Sequence, residues 1–350
     1  ITWSGVPAQL PAGYGAFAAK YVNISTMSGS PVIDKIVWNW LDSEVAPLYS
    51  ESSFQLYKYN GTWNSVPSTL NTTANSLTNL SLSPFSVFTI LTPNCPIVTS
   101  DYTMQNNFFG APNDATPINS NPVCVKIAAS NVIFDCNGYN ITNNGSALAY
   151  GILLNGSLTN VTVKNCPSVS GYLYGIYSYY SNNSRILNNT VKNTTNYGIT
   201  LFASNSNNVT NNNASNQQMG FFISWGSNNN LSNNNAVNNT DSGFYLTSNS
   251  NGNTLINNLA RNSTGNYGFF IGNSINNNIT NNNATSNMRG FGISSSSANS
   301  FINNTAQLNS PDIGFRCDNS NSNTFIGNII QNNTNYGFFA NGCSGNTLSN

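Results

Sequence analysis

The sequence predicts an all-β fold: a parallel β-helix of about 23 residues per coil, preceded by a small antiparallel β-sandwich domain. Three observations carry this. A glycine followed by an apolar strand recurs at Gly151, Gly175, Gly198, Gly220, Gly243, Gly268, Gly290, Gly314 and Gly337, at gaps of 22 to 25 residues. A second phrase, apolar then Asn-rich then small, starts at Val161, Ile186, Val209, Leu231, Leu255, Ile279, Phe301, Phe325 and Leu348. Residues 1–92 contain neither phrase. Two short strands per period, with Asn, Ser and Gly turns between them, describe one coil of a solenoid. Leucine-rich repeats share the period but want Leu at fixed positions. A helical solenoid would need helix formers, and Asn and Gly are poor ones.

The elements follow in order. In residues 1–92, IVWNW, FQLYKY and SVFTIL read as short strands separated by the turns NGT, VPST and SLSP, hence the sandwich. Residues 93–130 form a connector and the N-terminal cap of the helix, CPIVTSDYTMQNNFFG with VCVKIA, because an open first coil would expose strand edges and core. Residues 131–350 form the helix and end in mid-coil at NTLSN, Asn346–Asn350, without a polar cap. The expectation is that the natural polypeptide continues there or that a neighbouring subunit completes the coil. Ile1 is expected to lie inside a longer precursor.

Placed in register, the repeat names its own interior. One residue after the glycines come Phe221, Phe244, Phe269, Phe291, Phe315 and Phe338. These are expected to stack along the axis about 4.8 Å apart, each contributing on the order of 1.5–3 kcal/mol by burial. Asn189, Asn212, Asn234, Asn258, Asn282, Asn304 and Asn328 fall three residues after the second-strand starts. An amide carries both donor and acceptor, so this column predicts a hydrogen-bonded ladder. Asn also tolerates the left-handed conformations of tight corners. In the two earliest coils the column holds Asp135 and Lys164, an expected ion pair.

Composition narrows the function. Only 6% of the 350 residues are charged, and ten basic side chains balance ten acidic ones. Nothing in that balance favours nucleic acid or an anionic membrane, and no apolar run is long enough to span a bilayer. Histidine is absent and Met numbers four, so neither a metal nor a cofactor is expected. The 71 Asn, 46 Ser and 30 Thr create twenty N-x-Ser/Thr triplets, close to the chance number for such a composition. Asn23, Asn60, Asn155, Asn208, Asn262 and Asn332 stand among them as candidate N-glycosylation sites of a secreted chain. Of the six cysteines, Cys136 and Cys166 fall near the same slot of adjacent coils, and Cys95 with Cys124 would tie down the cap. Cys317 points inward while Cys343 sits in a turn of the next coil, which argues against that pair.

NVIFDCNGYNIT (Asn131–Thr142), NVTVKNC (Asn160–Cys166) and YGIYS (Tyr174–Ser178) resemble the right-handed parallel β-helix repeats grouped as carbohydrate-binding and sugar-hydrolase repeats, including the periplasmic copper-maturation branch. The resemblance covers about 250 residues and implies the fold; such repeats abound in archaeal surface proteins. The segment Leu56–Leu91 is similar to a small β-module that precedes repeats in archaeal cell-surface proteins. Enzymes on this fold need clustered carboxylates with a basic partner. Here the acids of the repeat are Asp135, Asp241, Asp312 and Asp318. Asp241 and Asp312 share a slot three coils apart, roughly 14 Å at ~4.8 Å per coil, too far for a hydrolytic pair. Arg316 and Asp318 share a strand and are expected to pair. The reading is therefore of no catalytic residues and no enzyme.

An outward row carries Tyr177, Phe222, Tyr245, Phe270 and Phe339, with Trp225 nearby. Either a second layer covers it, or it contacts protein or sugar. The resulting expectation is an extracellular, cell-surface structural protein that self-associates into an archaeal filament or surface layer and takes glycans as further partners. The alternatives are a carbohydrate-binding adhesin or a polysaccharide lyase or hydrolase.

Overall fold

A computed structural model describes the chain except residues 1, 5–13, 18–19, 26–28, 30–31, 46–50, 52–53, 83–85, 94, 105–106, 112, 117, 144–147 and 350. The expected SLSP turn, part of the expected cap and both chain ends thus fall wholly or partly outside the described residues. The N-terminal region is two antiparallel sheets. One runs Thr2–Ser4, Tyr21–Asn23, Val87–Pro93, Gln55–Tyr59, Trp63–Ser65, with Tyr14–Ala16 also on Val87–Pro93; the other is Ile33–Asn39, Ser76–Leu82, Thr69–Asn71. Phe17, Val22, Trp40, Leu56, Leu77, Phe88 and Ile90 are buried together in this region's core.

From Ile97 onward the chain winds as a parallel solenoid with three strands per coil. A long sheet of twelve strands takes the six-residue strands that begin just before the recurring glycines, such as Met219–Ser224 and Ser242–Thr247. A second sheet of eleven takes the three-residue strands such as Asn230–Ser232, and a third of ten takes strands such as Asn235–Val237. The third strand was not expected from the sequence. Its inward position holds Ala214, Ala236, Ala260, Ala284 and Ala306, all fully buried, and alanine gives no apolar periodicity to read. The segment expected to cap the helix already supplies a first coil, with Ile97–Val98, Tyr102–Thr103 and Phe108–Phe109 each pairing in parallel to the coil above.

The recurring glycine is sterically required. A Cβ on Gly243 would stand 2.7 Å from the Gly268 carbonyl oxygen and 2.8 Å from the Ala260 Cβ, because third sheet and long sheet meet there. One residue on, Phe221, Phe244, Phe269, Phe291 and Phe315 stack at centroid spacings of 4.6, 4.7, 4.9 and 4.6 Å, near the strand repeat, with Phe338 following at 6.2 Å.

The asparagines form ladders of hydrogen bonds. Each Nδ2 from Asn189 through Asn304 donates to the Oδ1 of the next coil's Asn, ending at Asn328, at 3.0–3.1 Å. The same Oδ1 accepts a backbone N–H from the coil below, as Asn212 N to Asn234 Oδ1 at 2.9 Å. A second ladder runs through Asn207, Asn229, Asn253, Asn277, Asn299, Asn323 and Asn346 at the corner between long and second sheets. Before the first ladder begins, Lys164 and Asp135 pair at 3.2 Å. The Asp135 carboxyl feels burial pushing it up, but bonds from Asn137 and Asn165 and the Lys164 ammonium outweigh this and hold it below its usual range.

Three disulfides join the six cysteines: Cys95–Cys124, Cys136–Cys166 and Cys317–Cys343. The last corrects the argument against that pair. Cys317 is inward on the long sheet, and Cys343 packs against the same core one coil on, with Cα atoms 6.4 Å apart.

Candidate functional site

The long sheet's outer face is where this solenoid departs from a plain polar surface. Three outward positions per coil lie before the glycine, two after it and four after it. They place Tyr174, Tyr177 and Tyr179 on one coil, Tyr197, Thr200 and Phe202 on the next, then Met219 and Phe222, then Tyr245, then Tyr267 and Phe270. The face begins under cover. Ala115 and Ile118 pack against Tyr150 and Leu153, with Asn119 Nδ2 donating to the Tyr150 hydroxyl at 3.1 Å and Asn155 Nδ2 to the Thr116 carbonyl at 2.7 Å. Past that contact, Tyr177, Phe222, Tyr245, Phe270 and Phe339 are half-buried. Tyr197–Phe222, Phe222–Tyr245 and Tyr245–Phe270 stack at 4.4, 6.0 and 4.8 Å, with interplanar angles of 26–28°. Rings stacked along the axis spend their faces on each other and turn edges outward.

At the end of this file the rings meet charge. Tyr267 is buried, its ring folded over Gly292, where a Cβ would stand 2.3 Å from Tyr267 Cε1. The Arg289 guanidinium lies 5.3 Å from the Tyr267 ring centroid, bonds Asn266 Oδ1 at 3.0 Å and pairs with Asp312. Arg316 forks onto Asp318 through Nε at 2.6 Å and Nη2 at 3.4 Å, and lies 5.5 Å from the Phe339 ring centroid. Burial pushes the Tyr267 hydroxyl up; the two arginines pull it down and the two aspartates push it up again. The Arg316–Asp318 pair was legible as a same-strand neighbour. Asp312 was weighed only against Asp241, and Arg289 and Tyr267 were missed; carrying the register one residue before each glycine would have placed both beside it on adjoining coils.

The corner where the long sheet ends is left-handed in every coil. Five residues past the glycines, Gly156, Tyr180, Ala203, Trp225, Ser248, Asn273, Ser295, Asn319 and Gly342 have φ of 95, 52, 48, 59, 56, 48, 49, 44 and 63°. Gly and Asn are at ease there; a bulky aromatic costs on the order of 1–3 kcal/mol. Yet Tyr180 and Trp225 occupy it, 47% and 53% exposed.

Of the candidate glycosylation sites, Asn262, Asn332 and Asn60 are exposed, while Asn23, Asn155 and Asn208 are half-buried. Asn155 is the one triplet of the solenoid inside a long-sheet strand. Among the described residues no group of His, Cys, Asp or Glu is placed to hold a metal ion, and no helix is long and apolar enough to cross a membrane.

Fold and face together define a right-handed parallel β-solenoid with an aromatic and ion-paired flank. The chain belongs to the right-handed β-helix region family, which matches over residues 69–214, 103–260 and 150–306. Among solved structures it is similar to a mutant of the periplasmic alginate epimerase AlgG at 14% identity and TM-score 0.55, covering 61% of this chain and 58% of that one. The Dettilon tailspike protein follows at 16% identity and TM-score 0.51, covering 69% and 61%. The A-module of the Azotobacter vinelandii mannuronan C-5 epimerase AlgE4 aligns at 12% and 0.50, covering 73% and 91%. The chain thus spans less than two thirds of the length of the first two. None of the curated proteins matches it.

These likenesses correct the reading of the shaft as non-enzymatic. That reading rested on scattered acids and a stiff rod. Alginate epimerases are built on the same rod. The winding also brings Asp312 and Asp318 beside Arg289, Arg316 and Tyr267, so catalytic inertness does not follow from the fold or from the spacing of the acids.

Proposed function

We propose that this is an extracellular solenoid whose long-sheet outer face binds polysaccharide. The observation that carries the reading is the unbroken run of outward aromatic side chains from Tyr174 to Phe270, ending on the Tyr267, Arg289, Asp312, Arg316, Asp318 group. Aromatic rings beside planar hydrogen-bonding groups are the chemistry that takes a sugar ring and its hydroxyls. The fold supports it, since alginate epimerases share it. Three disulfides support an oxidising compartment. The test is gel-retardation of purified protein in soluble neutral and uronate polysaccharides, with the incubated polymers analysed for altered products. Retardation by at least one polymer is expected, and mobility unchanged in all of them would remove the reading.

A subunit of a cell-surface filament or layer is the second reading. A flank that repeats its register coil after coil favours it, because like surfaces then meet at many equivalent positions. Electron microscopy of concentrated protein showing only single particles would count against it.

A further inference from the structure

Resting on that reading, the geometry points to the rim formed by Tyr180, Ala203, Asn205 and Trp225 as the glycan-contacting edge, and to a neutral polysaccharide chain lying parallel to the solenoid axis as its occupant. The stacked file of Phe222, Tyr245 and Phe270 offers edges, not faces. The rim differs. Tyr180 stands nearly perpendicular to the stacked Tyr179 and Phe202 rings, at 78° and 67°. Trp225 is 53% exposed and makes no ring contact among the described residues, so no aromatic neighbour takes up its faces. Both sit at corner positions whose left-handed backbone suits Gly or Asn, and no ring stacking among the described residues compensates Trp225 for that. A side chain that breaks a local rule without a local gain belongs where function selects it.

Spacing and polarity fit one occupant. Tyr180 and Trp225 are two coils apart, roughly 9.6 Å at ~4.8 Å per coil, with the small Ala203 between them leaving the gap open. In that middle coil Asn205 accepts the Ser227 N–H on its Oδ1 at 2.8 Å, while its Nδ2 has no protein acceptor among the described residues and is free to donate to a hydroxyl. Residues 171–235 hold two charges, Arg185 and Lys192, in strands of the second and third sheets. The rim itself is uncharged, and the nearest outer-face arginines, Arg289 and Arg316, are already paired with Asp312 and Asp318, so a polyanion finds no counter-charge at the rim to gain from.

The experiment is affinity electrophoresis of wild type, Tyr180→Gly, Trp225→Gly and, as a control at an exposed left-handed corner away from the rim, Leu308→Gly in a neutral β-glucan, a mannan, a xylan, alginate and polygalacturonate, with thermal melts of each protein. The expected result is binding to a neutral polymer that falls about tenfold or more in the Tyr180 and Trp225 variants, while melting temperature holds or rises and Leu308→Gly keeps wild-type affinity. Wild-type binding that survives both Tyr180→Gly and Trp225→Gly overturns the rim assignment and leaves the polysaccharide reading standing. Binding confined to the uronate polymers overturns the neutral occupant. Binding to no polymer removes both.

Discussion

The triplet Asn211–Asn213 shows how one residue type is used three ways in succession. Asn211 takes φ 56° and turns the corner. Asn212 is buried and bonds Asn234 above and the Ile186 carbonyl below. Asn213 opens the third-sheet strand and is half-buried. Asn228–Asn230 repeat the division at the other corner, with φ 57° at Asn228 and the second ladder at Asn229. The roles separate by substitution. Asn233→Gly is expected to be nearly neutral, because Gly accepts the left-handed backbone, whereas Asn233→Ala costs about 1–2 kcal/mol. Asn234→Gly, one residue away, strips the acceptor from Asn212 N and Nδ2 and the donor from the Val209 carbonyl, for a loss of about 3 kcal/mol or more. Denaturant melts of the three variants check this; equal losses at the two positions would show that the ladder does not carry the difference.

At the scale of the element, the long sheet was legible and the third sheet was not. The Gly-Phe-x-Ile phrase of Gly220–Ile223 announces a strand with two inward apolar positions, so the phenylalanine file could be read directly. The strand Asn235–Val237 buries only Ala236, and a chain that writes its third strand in Asn and Ala gives no alternation to detect. The same limit applied to the site. Outward aromatics repeat two residues after the glycine and stand out, but Tyr267 and Arg289 share the column one residue before it and Asp312 stands a further residue back, so no single residue type repeats there to be noticed. The phenylalanine file makes its own prediction. Phe244 is fully buried with rings 4.6 and 4.7 Å on either side, so Phe244→Ala removes two stacked contacts and leaves a cavity, for a loss of about 3–5 kcal/mol. Phe338 is half-buried, and Phe338→Ala is expected to cost clearly less. Equal losses in urea titration would mean that the file does not act as a stack.

Across the whole molecule the same composition dictates the response to pH. Without histidine, no side chain changes charge near neutrality at its ordinary pKa. On the acid side, the Asp135 carboxyl sits below its ordinary value, and Glu44 is likewise lowered, chiefly by its bond from Lys20. A lowered carboxyl adds stability that is present above its unfolded value of about 4 and is lost as pH falls through the lower folded value. On the alkaline side, burial raises Tyr150, Tyr172, Tyr177, Tyr197, Tyr245 and Tyr267, so the unfolded chain releases those protons first. Stability therefore falls as pH rises past about 10. The expected profile of melting temperature is a plateau from about pH 5 to about pH 9 with a decline on each side, and the acid decline is shallower in Lys164→Met, where Asp135 has lost its partner. Circular-dichroism melts from acid to alkaline buffer test this. A slope between pH 5 and 8 would require a titrating group that this histidine-free chain does not hold at its ordinary value, and would overturn the account.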